Sequence, residues 1–201
     1  PVASYLVSGL IGYAVANTAL GGLAIMLVLR RELGILKRLR STPLPAATYL
    51  VAVLLSNLVV LALQSAAVIA LGVFLYGADT AASPLSFVLA LAAGAVSFAG
   101  LGLAAAALIR SGEAVAAVVN LVILPMSFLS GSFGTTDNLP GGLESLRDLL
   151  PLHYLVELVL ATYVDGDSIS EHPRALAVLA VWGAVGYAVA RSRFGWEPRE
   201  R

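Results

Sequence analysis

Apolar positions run through this chain in long blocks, with the charged residues gathered in short clusters between them. Five uncharged stretches stand out, at residues 2–29, 46–76, 85–109, 114–136 and 175–190. A helix rises about 1.5 Å per residue, so about 20 apolar residues cross the hydrocarbon core of a bilayer. The first three stretches hold 28, 31 and 25 residues and are long enough to span; the second is tilted or runs past the bilayer. In the fourth, Pro125 and the glycines after Leu129 predict a helix that ends early, near residue 131. The fifth has only 16 residues, but Arg174 and Arg191 at its ends can extend to the two interfaces. The pattern predicts an all-α polytopic membrane protein with five spans, about 2–29, 46–76, 85–109, 114–131 and 175–190.

A further apolar segment, Leu152 to Val164, tests that count. It is 13 residues long and contains Glu157. If it spanned, the arginine-rich tail would change sides and so would the acidic stretch Asp165 to Glu171, and both moves break the positive-inside rule. Residues 137–164 are therefore expected to form two short re-entrant helices that dip into the outer leaflet and return. Pro140 with Gly141-Gly142 opens the first, and Pro151 separates it from the second. Backbone of this kind survives at membrane depth only where protein or a water-filled cavity covers it.

Charge then sets orientation. Arg30, Arg31, Lys37, Arg38, Arg40, Arg110, Arg191, Arg193, Arg199 and Arg201 fall on one side with four acids, a balance of +6. Arg147 and Arg174 fall on the other with eight acids, a balance of −6. The neutral chain thus has two charged faces, and the rule puts the 30–45 loop and the C-terminus in the cytoplasm. Composition closes other classes: 59% of residues are apolar and 12% charged, with a mean hydropathy of +0.92. So few charges cannot cover a soluble domain. A net charge of zero argues against nucleic-acid binding. The absence of cysteine removes disulfides, thiolate metal sites and cysteine nucleophiles. The Ala, Leu, Val, Gly and Arg bias, with one lysine, points to a GC-rich bacterial source and hence a bacterial cytoplasmic membrane.

The segment Arg30-Arg31-Glu32-Leu33-Gly34-Ile35-Leu36-Lys37-Arg38-Leu39-Arg40-Ser41-Thr42-Pro43-Leu44 follows the first span. Leu33, Leu36 and either Leu39 or Leu44 can line one side of a short helix, Gly34 permits close backbone approach, and Pro43 stops the helix. Attraction to anionic lipid accounts for the basic residues but not for the spacing of acid, glycine, leucine and proline. That spacing, Glu32, Gly34, Leu39 and Pro43, resembles the E-x-G-x-x-x-x-L-x-x-x-P segment after the second helix of ABC-2-type permeases, the membrane subunits of type-two ABC transporters. Leu124 to Gly131, Leu139-Pro140 and Leu150-Pro151-Leu152 resemble the end of that family's fifth helix and its re-entrant hairpin.

The resemblance implies that the five spans are the second to sixth of six, with a helix before Pro1. It also implies a transport subunit without an ATPase site of its own, in keeping with the lack of a G-x-x-x-x-G-K-[ST] loop. ATP and magnesium would be bound by two ABC ATPase subunits, beside a second permease copy or paralogue, with membrane lipids as the remaining partner. The segment from 30 to 45 becomes the ATPase-coupling loop: Leu33, Leu36 and Leu39 enter an ATPase cleft, and Glu32 and Arg38 make polar contacts there. The resemblance implies an ATP-driven exporter, from a family whose substrates include drugs, lipids, polysaccharides and other amphiphiles; a drug, lipid or glycolipid is expected here.

Polar residues within spans are costly and often functional. Asn57 and Gln64, seven apart, share a face of the second span; Asn17 lies in the first and Asn120 in the fourth. They are candidates for a translocation path or a dimer interface, against the plainer reading of helix–helix hydrogen bonds within one subunit. Ala180, Ala184 and Ala188 form a small-residue ridge, and Gly94, Gly100 and Gly102 suggest close packing of the third span. Tyr5, Tyr76, Tyr163 and Trp196 are expected as interfacial anchors. His153 and Glu157 are expected to satisfy each other; two ligands do not make a zinc site. Nothing assembles a nucleophile, base and orienter, so no catalysis is expected. An ion-driven secondary transporter would need acids or bases inside the spans, which have none; a non-transporting membrane scaffold is the other alternative.

Overall fold

The computed structural model describes residues 2–41, 43, 45–134 and 141–193. All regular structure among them is helical, and five helices are long and apolar enough to cross a membrane. The first span is a single rod in three parts: α1 (Val2–Val15), a π-helical stretch (Ala16–Gly22) and α2 (Leu23–Glu32). The other spans are α4 (Ala46–Tyr76), α5 (Pro84–Leu108), α6 (Gly112–Leu129) and α9 (Pro173–Arg193). A short helix, α3 (Ile35–Arg40), follows the first span, and α7 (Gly141–Arg147) and α8 (Pro151–Leu160) lie between α6 and α9.

Local chemistry explains most boundaries. Pro84 and Pro151 sit in the first turns of α5 and α8, where a missing N–H costs nothing. α4 ends at Gly77, whose φ of 62° is left-handed. Pro125 does not end α6. The helix runs through it to Leu129, since packed neighbours hold a transmembrane helix across a proline. The fifth span is longer than the uncharged run, 21 residues, because Arg174, Arg191 and Arg193 are carried in its first and last turns.

The first span and α5 form the centre, with α4, α6 and α9 around them. The inner faces use small residues, as expected where lipid is as apolar as leucine and close approach supplies the attraction. A Cβ on Gly186 would strike the backbone of Gly100, and one on Gly183 would meet Ser97. Ser97 Oγ donates to the Leu179 carbonyl at 2.7 Å. Gly102 lies against the carbonyls of Ala19 and Leu20 in the π-helical stretch. The glycines of α5 therefore pack closely, as their sequence suggests. The alanine ridge of α9 does not: Ala180, Ala184 and Ala188 are exposed, and the seam runs through Leu179, Gly183, Gly186 and Ala190. Glycine, with no Cβ, lets backbones approach closer than alanine can.

The pairing 97 with 183 and 100 with 186 makes α5 and α9 parallel. Because α6 returns antiparallel between them, the chain from 130 to 172 starts and finishes at one end of the bundle. Leu152 to Val164 therefore does not span. Instead α8 is inserted: Val156 fills the space beside Gly12, and Leu155 that beside Gly94. Gly94 is the eleventh residue of α5, which places this contact about 15 Å along that helix, half of a core about 30 Å thick. Leu152, Leu155, Leu158 and Val159 are fully buried, so protein rather than lipid covers α8, whereas Leu143 and Leu146 of α7 and Leu149 after it are exposed. Pro140, which was expected to open it, lies outside the described residues, as does Trp196.

Candidate functional site

Two places concentrate polar chemistry: the α2–α3 end of the bundle, and the hairpin with the loop Gly77–Ser83 at the far end. At the first, α2 continues to Glu32, so Arg30 and Arg31 belong to the last turn of the span and not to the following loop. Cations there complement the helix's C-terminal dipole. Arg30 donates to the Tyr49 hydroxyl at 3.0 Å.

Arg31 is 1% exposed. Its guanidinium donates to the carbonyls of Ala106, at 2.8 Å, and Ile109, at 2.5 Å. These are among the carbonyls left over where α5 ends, so the side chain of one helix caps the C-terminus of another. The next residue does the converse: Glu32 Oε1 accepts from the Gly112 N–H at 2.7 Å, at the first residue of α6. Arg31 and Glu32 thus hold both flanks of the three-residue joint Ile109-Arg110-Ser111. Neither pairing could be read from the order of residues, since the partners are about 75 to 80 positions away. An arginine in the last turn of an apolar span was the available signal, and it reads equally as an interfacial charge.

Beyond Glu32, Gly34 has φ 69° and no atom within 4 Å of a would-be Cβ. Its role is the left-handed turn between α2 and α3, not the close approach expected. The leucine triplet also divides. Leu33 precedes α3 and is 69% exposed, whereas Leu36 is fully buried and belongs to this chain's own core. Leu39 is half-buried, and Ile35, Lys37 and Arg38 are exposed, as is Pro43 between α3 and α4. Six residues make fewer than two turns, too few to place positions 33, 36 and 39 on one helical face.

The intramembrane amides separate likewise. Gln64 faces inward and its Oε1 accepts from Thr18 Oγ1 at 2.7 Å, tying α4 to the π-helical stretch. Asn57 faces the same way, toward a small cavity lined by Ala19, Leu61, Ala95, Ala99 and Tyr187. Its Nδ2 is buried with no hydrogen-bond partner. Asn17 lies toward α6, with Oδ1 near Gly21, and Asn120 is exposed on α6 among exposed Leu121, Val122 and Leu124. The four do not form one site.

At the far end Tyr163 is buried and donates to the Asp79 carbonyl at 2.6 Å, so it is a structural bolt and not an interfacial anchor. The Asp79 N–H donates to Ser4 Oγ at 3.2 Å. Trp182 Nε1 reaches the Leu149 carbonyl at 3.1 Å, and Arg174 stacks over Tyr154 at 5.7 Å. His153 and Glu157 do not pair with each other: His153 lies 4.0 Å from Asp148, and Glu157 3.7 Å from His172. Burial first, and the charge of Arg147 second, hold His153 below its ordinary pKa. No group of three or more His, Asp or Glu side chains is arranged for a metal among the described residues.

The family described as ABC-2 type transporter matches residues 2–164, from the first span through the inserted hairpin. The chain belongs to that family. No curated protein matches it. It is therefore a multi-pass membrane protein and a transporter permease, a kind of subunit that carries substrate and is generally not itself catalytic. The family implies an ABC ATPase as its partner.

Proposed function

We propose that this permease is the membrane subunit of an ATP-driven exporter of hydrophobic or amphiphilic molecules, such as a drug, lipid or glycolipid. The observation that carries the reading is the knob at the α3 end. Leu33 is 69% exposed beside exposed Ile35, Lys37 and Arg38, on a segment anchored to the bundle by Arg31, Glu32 and Leu36. An apolar tip with a basic flank on a rigid stalk is suited to docking in a cleft of an ATPase. Leu33 and Ile35 would fill the cleft, Arg38 would make the polar contact, and Leu39 and Pro43 would shape the exit from the knob. Glu32, already bound to Gly112, orients the knob and adds a contact through its exposed edge. Two ATPase subunits would supply ATP and magnesium binding, and a second permease copy or paralogue would complete the path.

Asn17, Asn57 and Gln64 would contribute polar steps along that path. Asn120, exposed among leucines, would find its partner across the second permease. The knob and the C-terminus would then be cytoplasmic in a bacterial membrane. Every charged group in the five spans lies in a first or last turn, which favours ATP over a coupling ion. Co-purification with a phosphate-loop ATPase, followed by amphiphile-stimulated ATPase assays, tests the reading. Leu33→Glu should lower stimulation at least about tenfold, a loss of about 1.4 kcal/mol of coupling, with membrane insertion intact. A purified complex without an ATPase, and transport indifferent to ATP, would refute it.

A further inference from the structure

We infer that Arg31 and Glu32 are positioning residues that make the α3 knob and the joint between the third and fourth spans a single mechanical unit. The inference rests on the reading of the knob as the ATPase contact, but its structural core does not depend on it.

Three observations carry it. Arg31 is fully buried, yet reaches out of its own helix to two carbonyls at the end of α5. A buried charge is costly unless it is compensated, and here two carbonyls accept from the two terminal nitrogens of the guanidinium at the negative end of the α5 dipole. Glu32 then binds the first N–H of α6. The joint has only three residues between helices, Ile109 to Ser111, so holding both flanks leaves it little freedom relative to α2. Finally, α3 packs against α2, and Leu36 within it is fully buried.

A push on the knob is thereby delivered to α2, α5 and α6 together. α4 follows the knob in sequence, and its fourth residue, Tyr49, accepts a hydrogen bond from Arg30 in the last turn of α2. A lysine at position 31 would keep the charge but not the planar fork that spans two carbonyls.

The chain has no cysteine, so labels can be placed singly. Spin labels on Ser41→Cys and Arg110→Cys, in the complete permease–ATPase complex, read the distance between knob and joint. The expected result is one narrow distribution, the same without nucleotide and with trapped ATP. Arg31→Met should broaden it in both states and lower substrate-stimulated ATPase activity several-fold, with basal activity of the ATPase unchanged. Arg31→Lys should fall between. Should the distribution stay narrow in Arg31→Met, whether or not the complex proves to be an exporter, the inference is overturned. It is equally overturned if the wild-type distance changes with ATP while ATP-driven transport proceeds. An ATP-independent complex that still shows Arg31-dependent broadening would uphold the mechanical unit and remove only the exporter reading. Should Arg31→Met fail to fold, Glu32→Ala, which removes the acceptor of the Gly112 N–H, gives the same comparison; a narrow distribution there would count against the unit.

Discussion

The seam between α5 and α9 and the seam between α4 and α5 are built on opposite principles. In the first, Gly100, Gly183 and Gly186 bring two parallel backbones together with no room for a Cβ, and Ser97 adds a hydrogen bond across the contact. In the second, larger side chains meet loosely: Leu58, Leu61, Phe87 and Leu91 border open space, and Asn57 Nδ2 and Ser65 Oγ are buried beside it without partners. The difference separates a tight seam from a loose one. A glycine seam loses dispersion contact at once if the helices shift, whereas a splayed seam has little to lose. Two polar ties hold α4 to the first span: Arg30 to Tyr49 near the start of α4, and Thr18 to Gln64 at mid-span.

Four substitutions can break or sharpen this contrast. The largest effect is expected from Gly186→Leu, which drives a branched side chain into the Gly100 backbone and should cost about 3 kcal/mol or more. Thermal unfolding in detergent would show it, and Ala184→Leu on the exposed face should be nearly silent. A Gly186→Leu protein with wild-type melting would end the claim that the seam is tight. Next comes Tyr163→Phe, which removes a buried hydroxyl from the Asp79 carbonyl and should cost about 1–2 kcal/mol in the same assay. Thr18→Val should cost about 0.6–2 kcal/mol, typical of a hydrogen bond between membrane helices. The smallest effect belongs to Asn57→Leu. Its amide nitrogen is unpaired, so its loss should leave stability unchanged or slightly raised. A cost comparable with that of Tyr163→Phe would show that α4 is packed as firmly as α9. If transport falls while stability holds, Asn57 serves the path.

Several features were legible in the sequence because they follow from local quantities. Apolar run length predicts each span, and the charge balance correctly rejects a spanning role for Leu152 to Val164, which the parallel packing of α5 and α9 also excludes. The glycines of α5 announce close packing because only glycine permits it. Other expectations went astray where a residue's role depends on its neighbours in space. Leu36 reads as one more exposed leucine of the loop but is core. The α9 alanines form a ridge in the sequence that faces outward. Tyr163 reads as an anchor because tyrosines near span ends often are, but its bond to Asp79 spans 84 positions. Arg31 looked like one charge among five and is instead the buried cap of a distant helix.

The sequence alone determined that the chain enters a membrane, how many helices cross it, and which segments carry charge. Transfer free energy sums over a run of residues and needs no knowledge of neighbours. The tertiary structure alone decided which faces meet, which seam is loosely packed, and what Arg31 and Glu32 bind. Those outcomes depend on backbones approaching within a few ångströms and on orphan groups at helix ends finding donors and acceptors far along the chain.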